Sequence, residues 1–538
     1  MISVTDAGRF KVLKESVDAD LADRRDWFAR ARKNRELRYM RVNTKKPLYV
    51  GAPNIADPVI ADMIRDLKQS IMTTLWQAPR LAQFVGLDSL GVKYADAAEA
   101  AFDFHLRRIP RTRARMAQCV DDVLTYGHGL AKAVDRLGRN GLKVADFVPV
   151  SPLSVVVPTS TGEIGASERI CHMMRFTVPH FEAAAKAKGC NPDVVRKAVS
   201  QAVKGRADGS ADRGGVSARF RDGALSDSGL GVDVWEIFYD TELGRRVCMI
   251  CPDFPERPLV DSPWVWLAVV GQETVVPDRP WPFVQAKNED VTGFYASMGV
   301  PEILEDDQKE ASCYRTVRGV ALDFAGKPFV KGPRVGSQFR FRAGENIGNQ
   351  EIVWYDAPVD KQVYQQEYAR NLAMKRVGSA QGFMGSLTGG DQRKTATEIH
   401  ALMSTVNGMA VDAVDRFAEP WAELFGMMWE GMAREARRNG GLSGMTLSAG
   451  KALDPEVWCA EFAISTGVSG RSVAQQKTLA ALTNVGQLAP VLENMTQTLG
   501  PASVKEFFFW IFQTLDGELA RKVMAVEAAG GHDALGAD

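Results

Sequence analysis

The chain has no surplus of charge of either sign: Lys and Arg number 66, and so do Asp and Glu. That balance excludes a uniformly basic nucleic-acid coat, which holds polyanions through an excess of cations. Long hydrophobic runs are also missing. A membrane helix needs roughly 18 to 20 successive apolar residues, and the densest stretches, Trp264–Val270 and Phe507–Phe512, are far shorter. The opening residues, MISVTDAGRF, lack the apolar run of a secretory signal, so none is expected. Cysteine is scarce, 7 in 538 residues, so no disulfide framework is expected and a reducing compartment fits. The six histidines stand apart in sequence, and neither HExxH nor GxSxG occurs.

What is present is ample apolar material. Hydrophobic residues make up 45% and charged residues 25%, enough for a large core rather than a disordered chain. The length corresponds to roughly three to four domains. Helical periodicity predicts one long charged helix over residues 7–41, then helices over 59–76, 93–110 and 111–126, the last ended by Tyr126-Gly127-His128-Gly129. Strands are expected at 130–136 and 142–150. From 150 to 288 short β-type runs appear at 154–157, 232–239, 246–251 and 264–270, interrupted by a helix near 179–205. Residues 205–231, rich in Gly, Ser, Asp and Arg, read as a loop or insertion.

The later part has a distinctive order. A helix over 301–325 begins with Glu302, Glu305, Asp306 and Asp307, which suit the positive end of a helix dipole. A β-rich module spans 327–357, and a helix spans 359–377. Five glycines lie between Gly378 and Gly390 in a loop. Thr395-Ala396-Thr397-Glu398 fits a capping box opening a helix to about residue 438. Such a helix would span about 65 Å, with a kink expected at Pro420. A strand is expected at 457–464, and mostly helix over 471–528.

Local motifs for chemistry fail their own tests. Gly389-Gly390-Asp391-Gln392-Arg393-Lys394-Thr395 resembles the end of a phosphate loop, but Thr388 and Arg393 stand where glycines are required, and a helix precedes it. Cys248 and Cys251 form a lone CxxC without a second ligand pair, so they read as core residues rather than zinc ligands. No catalytic residue, metal site or cofactor is assigned. Two helices bracketing a small module predict an antiparallel pair with a protruding tip, which buries little alone and calls for neighbouring subunits. The tip is basic: Lys327, Lys331, Arg334, Arg340 and Arg342 occur over 327–342 without an acid.

Several segments in this order resemble the portal proteins of tailed double-stranded DNA bacteriophages. They are Asp26-Trp27-Phe28; Pro53-Asn54-Ile55-Ala56-Asp57-Pro58; the run Asp121-Asp122-Val123-Leu124-Thr125-Tyr126-Gly127-His128-Gly129; Val150-Ser151-Pro152-Leu153-Ser154-Val155; Met298-Gly299-Val300-Pro301-Glu302 on to Gln308; and Thr395-Ala396-Thr397-Glu398-Ile399. The resemblance covers most of the chain. It implies an α+β, predominantly helical portal fold assembled as a ring of twelve subunits at one capsid vertex. Residues 1–288 would form an N-terminal wing, 289–326 and 358–377 two stem helices, and 327–357 a clip. Residues 378–394 would be a tunnel loop, 395–440 a long wing helix, 441–470 a wing strand region and 471–538 a crown of C-terminal helices.

The implied function is structural and not enzymatic: a channel through which double-stranded DNA is packaged and ejected. Expected partners are further copies of the chain, the DNA, the terminase motor, the head-to-tail adaptor and the major capsid or scaffold protein, with no membrane. The expected location is the virion, after assembly in the host bacterial cytoplasm. The clip residues Lys327, Lys331, Arg334, Arg340 and Arg342 would dock motor and adaptor. The tunnel-loop residues Gly382, Gly385, Gly389, Gly390, Arg393 and Lys394 would meet DNA. The alternatives are an enzyme with a dispersed site, such as a nuclease or hydrolase, and an oligomeric structural protein without DNA passage.

Overall fold

The computed structural model describes residues 8–40, 53–77, 80–137, 143–207, 231–242, 244–264, 268–270, 273–275, 280–289, 295–326, 329–331, 351–353, 359–376, 396–438 and 454–466. The chain divides into two compact units, one of residues 1–73 and 105–444, the other of residues 74–104 and 445–538. It is a mixed α+β protein with predominantly helical content.

Helices α1 (Arg9–Asp23) and α2 (Arg25–Arg38) replace the single long helix that periodicity predicts. The break falls at Arg24, whose buried guanidinium donates to the carbonyls of Val157 at 2.7 Å and Pro158 at 3.1 Å. One turn earlier, Asp20 accepts from Arg169 at 2.7 Å. These tertiary bonds hold each helix to the sheet beside it. Helix α3 (Val59–Gln77), strand β1 (Ala82–Gly86), α4 (Ser89–Arg108) and α5 (Thr112–Tyr126) follow. Gly127 ends α5 with φ +88°, a conformation that favours glycine. A Cβ there would also lie 2.0 Å from the Ser297 carbonyl.

Strands β2 (His128–Leu137) and β3 (Lys143–Val150) form the expected hairpin. β4 (Val155–Val156) and β5 (Arg169–Thr177) come next. The expected helix near 179–205 is instead two helices, α6 (Val178–Lys188) and α7 (Pro192–Ala207), divided where Gly189 adopts φ +64°. β6 (Gly231–Thr241), β7 (Gly244–Ile250) and β8 (Val260–Pro263) complete a five-stranded sheet in the order β4-β5-β6-β7-β8. Of the run expected at 264–270, Ala268–Val270 is strand β9, paired with β10 (Glu273–Val275), Trp264 is not in a strand, and 265–267 lie outside the described residues; β8 pairs with β7 and ends at Pro263. Strand β11 (Phe283–Lys287) joins β2 and β3 in a three-stranded sheet ordered β11-β2-β3.

The chain then forms α8 (Val300–Ile303), α9 (Glu305–Gly326), β12 (Phe329–Lys331), β13 (Glu351–Val353) and α10 (Val359–Arg376). Helix α11 runs continuously from Ala396 to Arg438 with Pro420 inside it. The expected strand at 457–464 is a 3-10 turn over Pro455–Cys459 followed by β14 (Phe462–Thr466). Pro455 and the Asp454 carboxylate, which accepts from Glu456 N at 3.1 Å, start the turn.

Strand alternation builds the core of the larger unit. Trp235, Ile237 and Tyr239 of β6 point to one face of the five-stranded sheet, against Leu13, Val17, Leu21, Trp27 and Phe28 of the first two helices. Phe238 points to the other face, with Trp281, Phe283 and Leu130. α11 covers the smaller sheet, where Trp421 meets Phe147 at 5.6 Å between ring centroids. In the other unit, β1 pairs with β14, and Phe84 lies between Phe102 and Phe462, at 5.6 and 5.4 Å.

Between the two sheets of the larger unit lies a buried polar group. Lys132 of β2 pairs with Glu236 of β6, and His172 of β5 stands 3.4 Å from the same carboxylate. The Lys132 ammonium also sits over the rings of Phe238 and Phe283, at 5.2 and 5.3 Å. Burial alone would raise the Glu236 carboxyl, but Lys132 and His172 hold it well below its ordinary value. Its folded pKa is therefore depressed, so its stabilising contribution is present above about pH 4.3 and is lost as pH falls below that value. Replacing Lys132 by Met strands a buried charge and should cost about 3–5 kcal/mol in urea denaturation at pH 7. The double variant Lys132→Met, Glu236→Leu should recover most of that loss, and an undiminished loss in the double variant would refute the pairing account.

Candidate functional site

The site centres on α9 and α10. They run antiparallel: Asp307, in the first turn of α9, pairs with Arg376, the last residue of α10, at 2.7 Å. At the opposite end β12 pairs antiparallel with β13, Phe329 opposite Val353 and Lys331 opposite Glu351.

The pair is rooted on segment 53–58, which is neither helix nor strand. Such a backbone leaves its N–H groups without regular partners, and burial makes that costly. Here α9 supplies them. Gln308, Ser312 and Thr316 recur at intervals of four, so they form one row along the helix. Ser312 Oγ accepts from Asp57 N at 2.9 Å, and Thr316 Oγ1 accepts from Ile55 N at 3.1 Å. Gln308 Oε1 accepts from Ile60 N at 3.0 Å, while its Nε2 donates to the Leu37 carbonyl at 2.9 Å. Further along, Gly319 is tight: a Cβ there would lie 3.2 Å from Ile55 and Pro53. α10 grips the same region. Gln366 donates to the fully buried Asp57 carboxylate, and Arg370 bonds Asp62 at 2.7 Å and lies 3.7 Å from Asp57.

The pair buries few large apolar residues. Its buried apolar residues are mostly small, namely Ala311, Val320, Ala321, Ala369 and Ala373. Four of its large ones are exposed, Val317 and Leu322 on α9 and Tyr364 and Tyr368 on α10, the tyrosines being 70% and 62% accessible, while Tyr314, Phe324, Val363 and Leu372 are half-buried. The two tyrosines, four residues apart, share one helix face. Acids and bases are equal in number along α9 and α10.

Of the residues assigned from sequence, only Lys331 is described, in register opposite Glu351 on β12. Lys327, Arg334, Arg340, Arg342, Gly382, Gly385, Gly389, Gly390, Arg393 and Lys394 lie outside the described residues, as does the capping-box Thr395. Residues that anchor the helix pair, Asp57, Gln308, Ser312, Gln366 and Arg370, carried no individual signal. A four-residue polar spacing on a charged helix looks the same whether it meets solvent or a backbone.

Cys248 and Cys251 are buried, and burial pushes both thiols up, Cys251 to about 12, as expected for small core residues. Among the described residues no group of His, Cys, Asp and Glu could hold a metal ion, and no helix is long and apolar enough to cross a membrane. No family model matches the chain, and no curated protein is significantly similar to it.

Asp57→Ala removes the carboxylate that takes Gln366 and Arg370. It should lower stability by about 1–3 kcal/mol and speed amide exchange in α10, read by hydrogen exchange with mass spectrometry. Unchanged exchange there would show that the helix pair does not depend on this contact.

Proposed function

We propose that the chain is one subunit of a ring-shaped portal, a channel at one vertex of a bacteriophage capsid through which double-stranded DNA enters and leaves. One observation carries this reading: the helix pair buries mostly alanines and leaves Val317, Leu322, Tyr364 and Tyr368 exposed. A solitary helical hairpin places its large apolar residues inside. Exposed Tyr364, Tyr368, Val317 and Leu322 on a firmly rooted pair call for coverage by another surface. A copy of the same pair in the next subunit supplies that coverage, and repetition around an axis closes a ring.

In such a ring the helix pairs form the wall of the channel. Their balanced charge suits passage, since every phosphate neutralised by a fixed cation adds affinity through counterion release. A balanced wall lets a duplex slide, whereas a basic one would trap it. The basic segment 327–342 forms the docking tip, and the glycine loop 378–394, with Arg393 and Lys394, makes passing contacts with DNA. The energy for packaging comes from a separate terminase.

Mass photometry of the purified chain should show a closed species near twelve subunits, about 0.7 MDa from the 58.9 kDa chain. The double variant Tyr364→Asp, Tyr368→Asp should leave monomers of unchanged circular dichroism. A wild-type chain that remains monomeric or dimeric at micromolar concentration would overturn the proposal, as would an intact ring in the double variant.

A further inference from the structure

A cavity of about 480 Å³ lies between the end of α2, α3 and the start of α5. Two alanines, Ala61 and Ala117, leave room in its wall. Its polar lining is mostly cationic: Arg38, Arg65, Lys68 and Arg113, against the single carboxylate of Asp121. Arg113, Ala117 and Asp121 follow one another at intervals of four and so share one face of α5.

Asp121 organises this group. Arg38 forks onto it, with Nη1 to Oδ2 at 2.5 Å and Nη2 to Oδ1 at 2.8 Å, and adds a bond to Thr125 Oγ1 at 2.5 Å. Lys68 Nζ donates to Asp121 Oδ1 at 2.9 Å. Burial alone would raise the Asp121 carboxyl, but Arg38 and Lys68 hold it below the usual range, so it is ionised at neutral pH. One carboxylate thus fixes two cations and neutralises only one. Outside the lining, Asp62 bonds Arg65 and is shared with Arg370. Asp66 also lies beside Arg65, and Asp122, its carboxyl pushed up to about 8 chiefly by burial, lies beside Arg38 and Lys68; on the cavity lining itself four cations stand with the one carboxylate. The backbone reinforces this arrangement. The non-glycine residues with positive φ among the described residues are Met40, at +56°, and Arg111, at +60°. Met40 directly follows the lining residue Tyr39, and Arg111 lies two residues before Arg113. Strained residues of this kind persist where the surroundings hold a fixed geometry.

We propose that this cavity binds a phosphate group, with Lys68, Arg65 and Arg113 contacting its oxygens and Arg38 positioned by Asp121 behind them. Lys68 retains donor directions that Asp121 does not use, since an ammonium has three protons. Arg65 and Arg113 bring exposed guanidinium forks, which match phosphate oxygens in pairs. Tyr39, 55% accessible at the rim, offers a ring to a base or sugar attached to that phosphate. The site needs neither the helix pair nor a ring.

Fluorescence anisotropy of a labelled 12-bp duplex, and calorimetry with pyrophosphate, should be run on the full chain and on the double variant Arg65→Glu, Arg113→Glu. Those exposed changes leave the Arg38–Asp121–Lys68 group in place, and circular dichroism checks the fold. Wild type should bind at least one probe, and the double variant should bind it about tenfold or more weakly. Arg196→Glu, an exposed change on α7, should bind as wild type does. If pyrophosphate binds and competes with the duplex, the ligand is a nucleic-acid backbone phosphate; if pyrophosphate binds but the duplex does not, it is a free phosphate compound. Equal affinity in wild type and the double variant, or no binding of either probe at millimolar concentration, overturns the proposal. A ring lost in mass photometry with phosphate binding retained would separate this inference from the portal reading.

Discussion

The zipper between the irregular segment 53–58 and α9 is the contact on which the rest of the candidate site depends. Its physical basis is the need of buried backbone N–H groups for partners. Ser312 and Thr316 supply them for Asp57 and Ile55, Gln308 continues the row onto Ile60 at the start of α3, and Gly319 lets the segment lie close. Because the side chains of α9 are committed to that backbone, the helix cannot rotate or slide without stranding polar groups. α10 is held through Asp57 and Asp62 on the same stretch of chain. The helix pair is therefore held by its polar root, and its own buried apolar residues are mostly alanines.

The body behind that root is held in a different way. Two sheets face each other across large aromatic residues, and in the middle sits Lys132 with Glu236 and His172. A buried ion pair of this kind adds little net stability compared with apolar residues, but breaking it is costly. Its effect is on register: a one-residue slip of β2 or β6 would turn one partner away from the other. The carboxylate of Asp121 has a comparable role at the cavity, holding Arg38 and Lys68 in place.

Most helices were legible because apolar residues recur at helical spacing, and α3, α5 and α10 lie within a residue or two of the expected limits. The hairpin of β2 and β3 was legible by alternation. Breaks were less so. Nothing local at Arg24 stops a helix; its bonds to Val157 and Pro158, more than a hundred residues away, accompany the interruption. Strand β5 has no clear alternation, because RICHMMRFT mixes His, Met and Arg with apolar residues, and only pairing with β4 and β6 reveals it. Two contacts join residues far apart in sequence that no local pattern connects: Gly299 packs on the Thr125 carbonyl, and Trp27 packs on His128.

The sequence by itself determined the mixed α+β class, the order of helix, β tip, helix and long helix, and the equality of charge, because these rest on composition and local periodicity. Tertiary structure alone decided which polar residues are anchors and which cations converge. Ser312 and Thr316 differ from solvated residues only in meeting the backbone of 53–58, and Gln308 only in meeting that of Ile60 and Leu37. Arg38, Lys68 and Arg113 come from three helices and share a cavity only after those helices are packed. Hydrogen bonds and fields act over a few ångströms, so chemistry made from residues distant in sequence is set only when the fold brings them within that reach.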